Sequence, residues 1–181
     1  MNKLMVLLLL VPTMSFGQKM AISEQAGTCL YLSLDNINKQ VTGFSNQLAV
    51  SYSTLKHLSV SVLYEYDRWT ASANGVGISP NFVSKYFFAG VDLKVVQVKS
   101  VIRYDGVIYK YSPSFGYGLH AGSKQKLIGH LYLMEQLGWD SYKLQYRNTV
   151  NYPGYKPLYS TTPHTKNFSY SYLRVGLCFQ F

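Results

Sequence analysis

The sequence predicts an all-β fold, a single eight-stranded antiparallel up-and-down transmembrane β-barrel preceded by a cleaved signal peptide. Three observations predict it. The chain ends in period-two alternation: Leu173, Val175, Leu177, Phe179 and Phe181 are apolar, while Arg174, Gly176, Cys178 and Gln180 between them are charged, small or polar. That is a strand with one apolar face. The chain begins with an export signal. Its composition is 48% hydrophobic and only 14% charged, with 17 Tyr and 9 Phe beside abundant Val, Thr and Ser. Such residues suit pleated, half-buried strands, and helix-forming Ala-Glu-Leu-Lys runs are missing.

The signal comes first because it leaves before the fold forms. Asn2 and Lys3 give a short positive start, Leu4 to Val11 an apolar run, and Ser15-Phe16-Gly17 the small residues that precede a cut ahead of Gln18. The expected organisation is therefore a signal peptide over 1–17 and one barrel domain over 18–181. The apolar run falls short of the roughly 20 residues that a membrane-anchoring helix needs. Cys29 lies too far beyond it for a lipoprotein. No later stretch is apolar enough for a transmembrane helix, so any membrane crossing is made by strands.

Alternation and turn residues place the strands in order. The first covers about Ala26 to Leu34, followed by a polar loop over Asp35 to Gly43. The second, Phe44 to Ser53, points Phe44, Leu48, Val50 and Tyr52 one way and Ser45, Gln47, Ala49 and Ser51 the other. A tight connection at Thr54 to His57 leads to a third, Leu58 to Arg68, with Val60, Val62, Tyr64 and Tyr66 against Ser59, Ser61, Glu65 and Asp67. Trp69 to Pro80, rich in Ser, Gly and Asn, reads as a second long loop. The fourth strand, Phe82 to Val95, sets Phe87, Ala89, Val91, Leu93 and Val95 against Tyr86, Phe88, Gly90, Asp92 and Lys94.

The fifth, Ser100 to Tyr111, has an interrupted pattern, since Val101 and Val107 share a face with Arg103 and Asp105. The sixth, Ser114 to Lys124, alternates Phe115, Tyr117, Leu119 and Ala121 with Gly116, Gly118, His120, Gly122 and Lys124. The seventh runs from His130 toward Tyr146 and carries Glu135 on the face of Leu133, Leu137 and Trp139. A carboxylate is unfavourable there against lipid, so either a bulge shifts the register or the position lies near an interface. Arg147 to Lys166, with three prolines, is the longest loop, and the eighth strand closes the chain. Long and short connections alternate as they do in outer-membrane barrels; only the short link at Ser112-Pro113 breaks the rule.

Which face meets lipid follows from two features. Gly90, Gly106, Gly116, Gly118, Gly122, Gly138 and Gly176 fall with the charged set, and glycine suits the cramped interior of a small barrel. Tyr52, Tyr66, Phe179 and Phe181 lie near strand ends on the apolar face, where interfacial aromatic girdles belong. The apolar set is therefore expected outside. The competing arrangement is a soluble, lipocalin-like barrel with that set turned inward on a ligand.

Several segments resemble a known group. They are Ser15-Phe16-Gly17-Gln18, Tyr86-Phe87-Phe88-Ala89-Gly90-Val91-Asp92-Leu93-Lys94, Phe115-Gly116-Tyr117-Gly118-Leu119-His120-Ala121-Gly122 and Tyr172-Leu173-Arg174-Val175-Gly176-Leu177 with Phe181 at the end. Over the mature chain these resemble small outer-membrane β-barrel proteins of Bacteroidota, similar in architecture to the OmpA transmembrane domain and OmpX. The resemblance implies outer-membrane localisation in a Gram-negative bacterium. It also implies that the terminal strand, through Phe181, Phe179 and Leu177, is the recognition signal for the barrel-assembly machinery. It specifies activity poorly.

The expected lumen network is Glu65, Asp67, Asp92, Lys94, Arg103, Asp105 and Arg174, with Lys124 on the same face. Eight strands leave room only for side chains, so opposite charges are expected to pair and a wide pore is not expected. Cys29 and Cys178 both face inward on the first and last strands, which adjoin when the barrel closes. Their alternatives are a disulfide across that seam or two buried thiols.

No catalytic, cofactor-binding or metal constellation emerges. His120 and Ser123 point to opposite faces, His130 and Glu135 differ in parity, and the four His and two Cys lack metal-ligand spacing. Gly116-x-Gly118-x-x-x-Gly122 departs from the dinucleotide fingerprint.

The formal net charge is +9, without a compact Lys/Arg run or a nucleic-acid module. Its simplest partners are anionic outer-membrane lipids and lipopolysaccharide phosphates. The expected function is that of a monomeric barrel with a structural or surface-binding role, in adhesion or envelope integrity, displayed through its loops. A lipid-modifying barrel enzyme and a soluble ligand-binding barrel are the alternatives.

Overall fold

The computed structural model describes residues 20–32, 40–68, 72–99, 101–102, 107–150, 158–159 and 164–181. The expected signal over 1–17 lies outside them, as do Arg103, Asp105 and Gly106. Among the described residues, eleven strands form one antiparallel sheet: β1 (Met20–Leu32), β2 (Gln40–Leu55), β3 (Leu58–Arg68), β4 (Ser72–Val83), β5 (Phe87–Val98), β6 (Val101–Ile102), β7 (Val107–Tyr111), β8 (Ser114–Ile128), β9 (Leu131–Val150), β10 (Leu158–Tyr159) and β11 (His164–Gln180). Eight of them close a barrel in the order β1-β2-β3-β4-β5-β8-β9-β11, and β11 pairs back onto β1 from Ala21↔Gln180 to Tyr31↔Tyr170. The Phe181 amide completes the seam by donating to the Met20 carbonyl at 2.8 Å.

The strand number agrees with the sequence reading, but two of the staves differ. The expected fourth strand, Phe82 to Val95, is split by the turn at 84–86 between the end of β4 and β5, and the segment 72–80, read as part of a loop, lies in β4. Its glycines, serines and asparagine suggest a turn in isolation. In the barrel the small side chains form an inward face through Ala73, Gly75, Ser79 and Asn81, while Val76, Ile78 and Phe82 point out. Pro80 is tolerated because the pairing with β5 runs from Ala73↔Val98 to Ile78↔Leu93 and resumes only at Asn81↔Gly90. A residue without an N–H sits where ladder rungs are missing.

Conversely, the Ser100–Tyr111 segment is not a stave. Its described parts, β6 and β7, form a small hairpin that pairs with the far end of β9, from Val107↔Val150 to Tyr111↔Tyr146. With this exchange the short link at Ser112-Pro113 no longer breaks the alternation of short turns with the other connections. Residues 56–57, 84–86 and 129–130 make tight turns at one end of the barrel, and the β6–β7 hairpin stands at the other.

Strand limits also move. β1 starts at Met20 rather than near Ala26, and β11 starts at His164, inside the expected longest loop. Glu24 on the outward face of β1 masks the alternation of its first half. Glu135 is indeed outward; it accepts a hydrogen bond from Ser123 Oγ at 3.1 Å, and the β8–β9 ladder shifts register nearer the tight turn, between Lys126 and Ile128.

The exterior is apolar. Leu48, Val62, Ile78, Val95, Leu119 and Leu173 are all at least 44% exposed. A belt of that extent around a whole molecule is incompatible with water and matches a hydrocarbon surround. Phe82, Phe87, Phe179 and Phe181 ring its tight-turn end, and Phe44, Tyr64, Tyr117 and Trp139 lie toward the loop end. The soluble inside-out alternative is therefore excluded.

Candidate functional site

The inward faces fill the lumen in three layers. Toward the loop end, Val96 and Val98 of β5, Tyr142 and Leu144 of β9, and Phe168 and Tyr170 of β11 pack with Cys29, Ala73 and Tyr172 into an aromatic plug. Tyr142 stacks on Phe168 at 6.2 Å between ring centres, and its hydroxyl meets that of Tyr170 at 2.7 Å. The sequence reading gives tyrosines a place in the girdles and none in this plug. The parity that Tyr170 and Tyr172 share with Arg174 is the available signal that they face inward.

The middle layer is ionic. Lys94 of β5 bridges Glu65 of β3 and, at 2.8 Å, Asp140 of β9. Arg174 of β11 pairs with Glu65 and donates to Ser45 Oγ through Nε at 2.8 Å and Nη2 at 2.6 Å. Ser45 in turn donates to Asp67 Oδ1 at 2.6 Å, and Arg174 lies 3.9 Å from that oxygen. The Tyr170 hydroxyl reaches Asp67 Oδ2 and sits 3.0 Å from Glu65 Oε1, so its single proton serves one carboxylate at a time. The Arg174 guanidinium also lies 3.8 Å above the Tyr172 ring.

Five members of the expected lumen network occupy this layer or border it: Glu65, Asp67, Lys94 and Arg174 meet directly, and Asp92 stands one inward position below Lys94 on β5. Arg103 and Asp105 fall outside the described residues. Asp140 is the member that the sequence reading missed, although it shares parity with Gln136 on the strand whose outward face was identified. The cluster fits because facing residues are small. The Lys94 chain runs past Gly75, and any Cβ on Gly118 would collide with the Asp140 carboxylate.

The third layer, toward the tight turns, mixes serines, glutamines and Asn81 with Ala49, Leu63 and Phe88, and Asp92, His120 and Lys124 are its ionisable residues. His120 Nε2 meets Asn81 Oδ1 at 2.7 Å, and its Nδ1 stands 3.3 Å from Asp92 Oδ1. A Ser-His-acid site would require a serine on Nε2, and Asn81 holds that position instead. Gln136 donates to the Tyr172 hydroxyl at 3.1 Å, tying this layer to the aromatic one.

The cysteines do not meet. In the seam Cys29 faces Tyr172 and Cys178 faces Ser23, six rungs apart, and both thiols are free and buried. Six rungs are about 20 Å along a strand, against the 7 Å limit between Cα atoms of a disulfide. The sequence placed both on adjoining strands correctly, but the seam register separates them. Among the described residues, no three His, Cys, Asp or Glu side chains converge as metal ligands.

Closed strands, an apolar exterior and a side-chain-filled lumen define a small eight-stranded transmembrane β-barrel of the outer-membrane class. Solved structures of that class share the fold. Neisserial surface protein A superposes with a TM-score of 0.61 at 17% identity, covering 90% of this chain and 97% of its own. A major outer-membrane protein of Thermus thermophilus gives 0.57 at 14% identity, covering 91% and 99%, and OprG of Pseudomonas aeruginosa 0.54 at 13%, covering 91% and 95%. No protein-family model matches the chain, and no curated protein matches it in sequence.

Proposed function

We propose that the protein is a non-conducting, non-enzymatic barrel of the outer membrane whose work is done at its loop-end surface, in adhesion or envelope integrity. The observation that carries this reading is the sealed lumen. The aromatic plug and the ionic cluster beneath it fill the section through which a solute would have to pass, with Tyr172 1% and Arg174 0% exposed. Function is then left to the surface. The names of two similar structures, a surface protein and a major outer-membrane protein, support the same location.

The surface has a definite chemistry. β9 has 20 residues, about 66 Å of strand at roughly 3.3 Å per residue. Tilted by about 45°, it rises well above an apolar band about 25 Å tall. Its upper part, joined by β7, projects as a sheet on which exposed Lys110 stands directly opposite exposed Arg147. Like charges at opposed positions weaken a sheet unless an anion answers them. Lipopolysaccharide phosphates and anionic headgroups are the partners we assign to this face. The finer kinship, with the small Bacteroidota barrels of OmpA and OmpX type, belongs to this proposal and rests on the matching strand segments.

The test combines conductance and phenotype. Purified protein in planar bilayers should give no stable ion-selective steps. Deleting the gene should sensitise cells to detergent, and a Lys110→Gln, Arg147→Gln protein that still folds should fail to restore resistance. Stable conductance, or full rescue by the neutralised protein, would overturn the reading.

A further inference from the structure

The outward face of β9 changes character along its length. Leu137 and Trp139 face lipid, and beyond them the outward positions are Ser141, Lys143, Gln145 and Arg147, the last three exposed. Asn167 of β11 stands opposite Lys143, and Lys110 of β7 opposite Arg147. Among the described residues, the outward positions of this wall from Leu137 to Arg147 hold no carboxylate, and none of the three cations has an acidic partner.

Trp139 sets the height of this row. Its ring packs edge-on against Tyr117 at 5.8 Å between ring centres, toward the loop end, where an interfacial girdle belongs. Lys143 lies four residues further along, about 13 Å of strand, and a tilt of about 45° puts it roughly 9 Å above the girdle. That is headgroup depth, where a lysine ammonium meets phosphates. Arg147 and Lys110 stand about another 13 Å of strand further out.

At and just below the girdle the same wall is dented. Ala121 faces out opposite Leu137, and Ser171 faces out opposite Trp139, whose other neighbour is Leu119. Small Ala121 and Ser171 among large Leu119, Leu137 and Trp139 leave a shallow depression in the lipid-facing surface, with Gly138 in its floor. An unfilled dent forfeits dispersion contacts, and at this depth the flexible apolar group available to fill it is an acyl chain.

Phosphate-binding cations above and an acyl-chain depression below, on the same strands, describe an amphiphile. A phospholipid with one phosphate reaches one end of a cation row that spans about 13 Å of strand. A glycolipid with two phosphates answers both ends, and Ser141, Gln145 and Asn167 offer hydrogen bonds to its sugars. We infer that the β8–β9–β11 wall binds one molecule of the diphosphorylated glycolipid that anchors lipopolysaccharide, with its phosphates on Lys143 and on the Lys110–Arg147 pair and one acyl chain in the depression at Ala121. The inference rests on the assignment of lipopolysaccharide phosphates to the Lys110–Arg147 face. It adds Lys143, the lipid-facing wall below it and the preference for two phosphates.

The test uses the full mature chain, refolded from urea into detergent micelles so that it carries no cellular lipid. Native mass spectrometry counts the lipid it retains from diphosphoryl lipid A, from the monophosphoryl form with the same acyl chains, and from phosphatidylglycerol. One molecule of diphosphoryl lipid A should be retained, at concentrations about tenfold or more below those the other two require, the scale of a lost hydrogen bond to a charged group. Lys143→Gln should weaken that retention by a similar factor. Ala121→Leu, which fills the depression, should weaken it several-fold. Both side chains point away from the lumen, and the gel-mobility shift on boiling checks that each variant is folded.

Equal retention of phosphatidylglycerol or of the monophosphoryl form overturns the inference, and that arm needs no variant. Unaltered binding by Lys143→Gln or by Ala121→Leu overturns it as well. The surface role is scored separately: rescue of detergent resistance by the Lys110→Gln, Arg147→Gln protein counts against that role whatever the lipid counts are.

Discussion

Arg174 of the last strand and Glu65 of the third, 109 residues apart in sequence, pair directly across the barrel lumen. The contact joins staves separated by β1 and β2, and it is shared. Glu65 also receives Lys94, and Arg174 also grips Ser45. Losing either partner strands a buried charge.

Arg174→Ala or Glu65→Ala alone should destabilise the folded barrel by about 3–5 kcal/mol, the usual cost of breaking a buried ion pair from one side. Because Lys94 also depends on Glu65, Glu65→Ala should cost at least as much as Arg174→Ala. The double replacement Glu65→Leu, Arg174→Met should cost less than the two single losses together. Urea unfolding in lipid vesicles measures all of these.

Packing around the ionic layer predicts a contrast between two glycines. Gly118→Val should destabilise by about 1–3 kcal/mol because its side chain must displace the Asp140 carboxylate. Gly75→Ala should be near neutral, since its Cβ would meet Glu65 and Lys94 side-chain carbons at 3.6 Å, an ordinary contact. The same unfolding series checks both.

The seam register predicts free thiols. Alkylation of denatured, unreduced protein should add two adducts by mass, at Cys29 and Cys178. A mass unchanged by alkylation would require a seam with a different register.

We further propose that the terminal aromatic strand serves assembly more than stability. The Phe181 ring packs edge-on against Phe179 at 5.0 Å and is 53% exposed, so it contributes modestly to the finished barrel. Deleting Phe181 should sharply lower the amount of folded protein in cells while leaving spontaneous folding into vesicles largely intact. The readout in both settings is the shift in gel mobility between unboiled and boiled samples.

The sequence by itself determined the class, the strand number and the facing of most side chains. A barrel wall has two environments, and strands expose alternate residues to each, so period two is written directly into Leu173 to Phe181 and Phe87 to Val95. It also identified Glu65, Asp67, Asp92, Lys94 and Arg174 as lumen residues, because on their strands the charged positions alternate with an apolar set that faces lipid. Which strands are staves was decided by the tertiary structure. Ser72–Val83 is a strand because its small inward residues leave space for Glu65 and Lys94 from the neighbouring walls, a fact about those neighbours rather than about the segment. Who touches whom across the lumen was decided there too. Register along a seam and closure across it are long-range quantities; they bring Arg174 to Glu65, add Asp140 to their cluster, and hold Cys29 six rungs from Cys178.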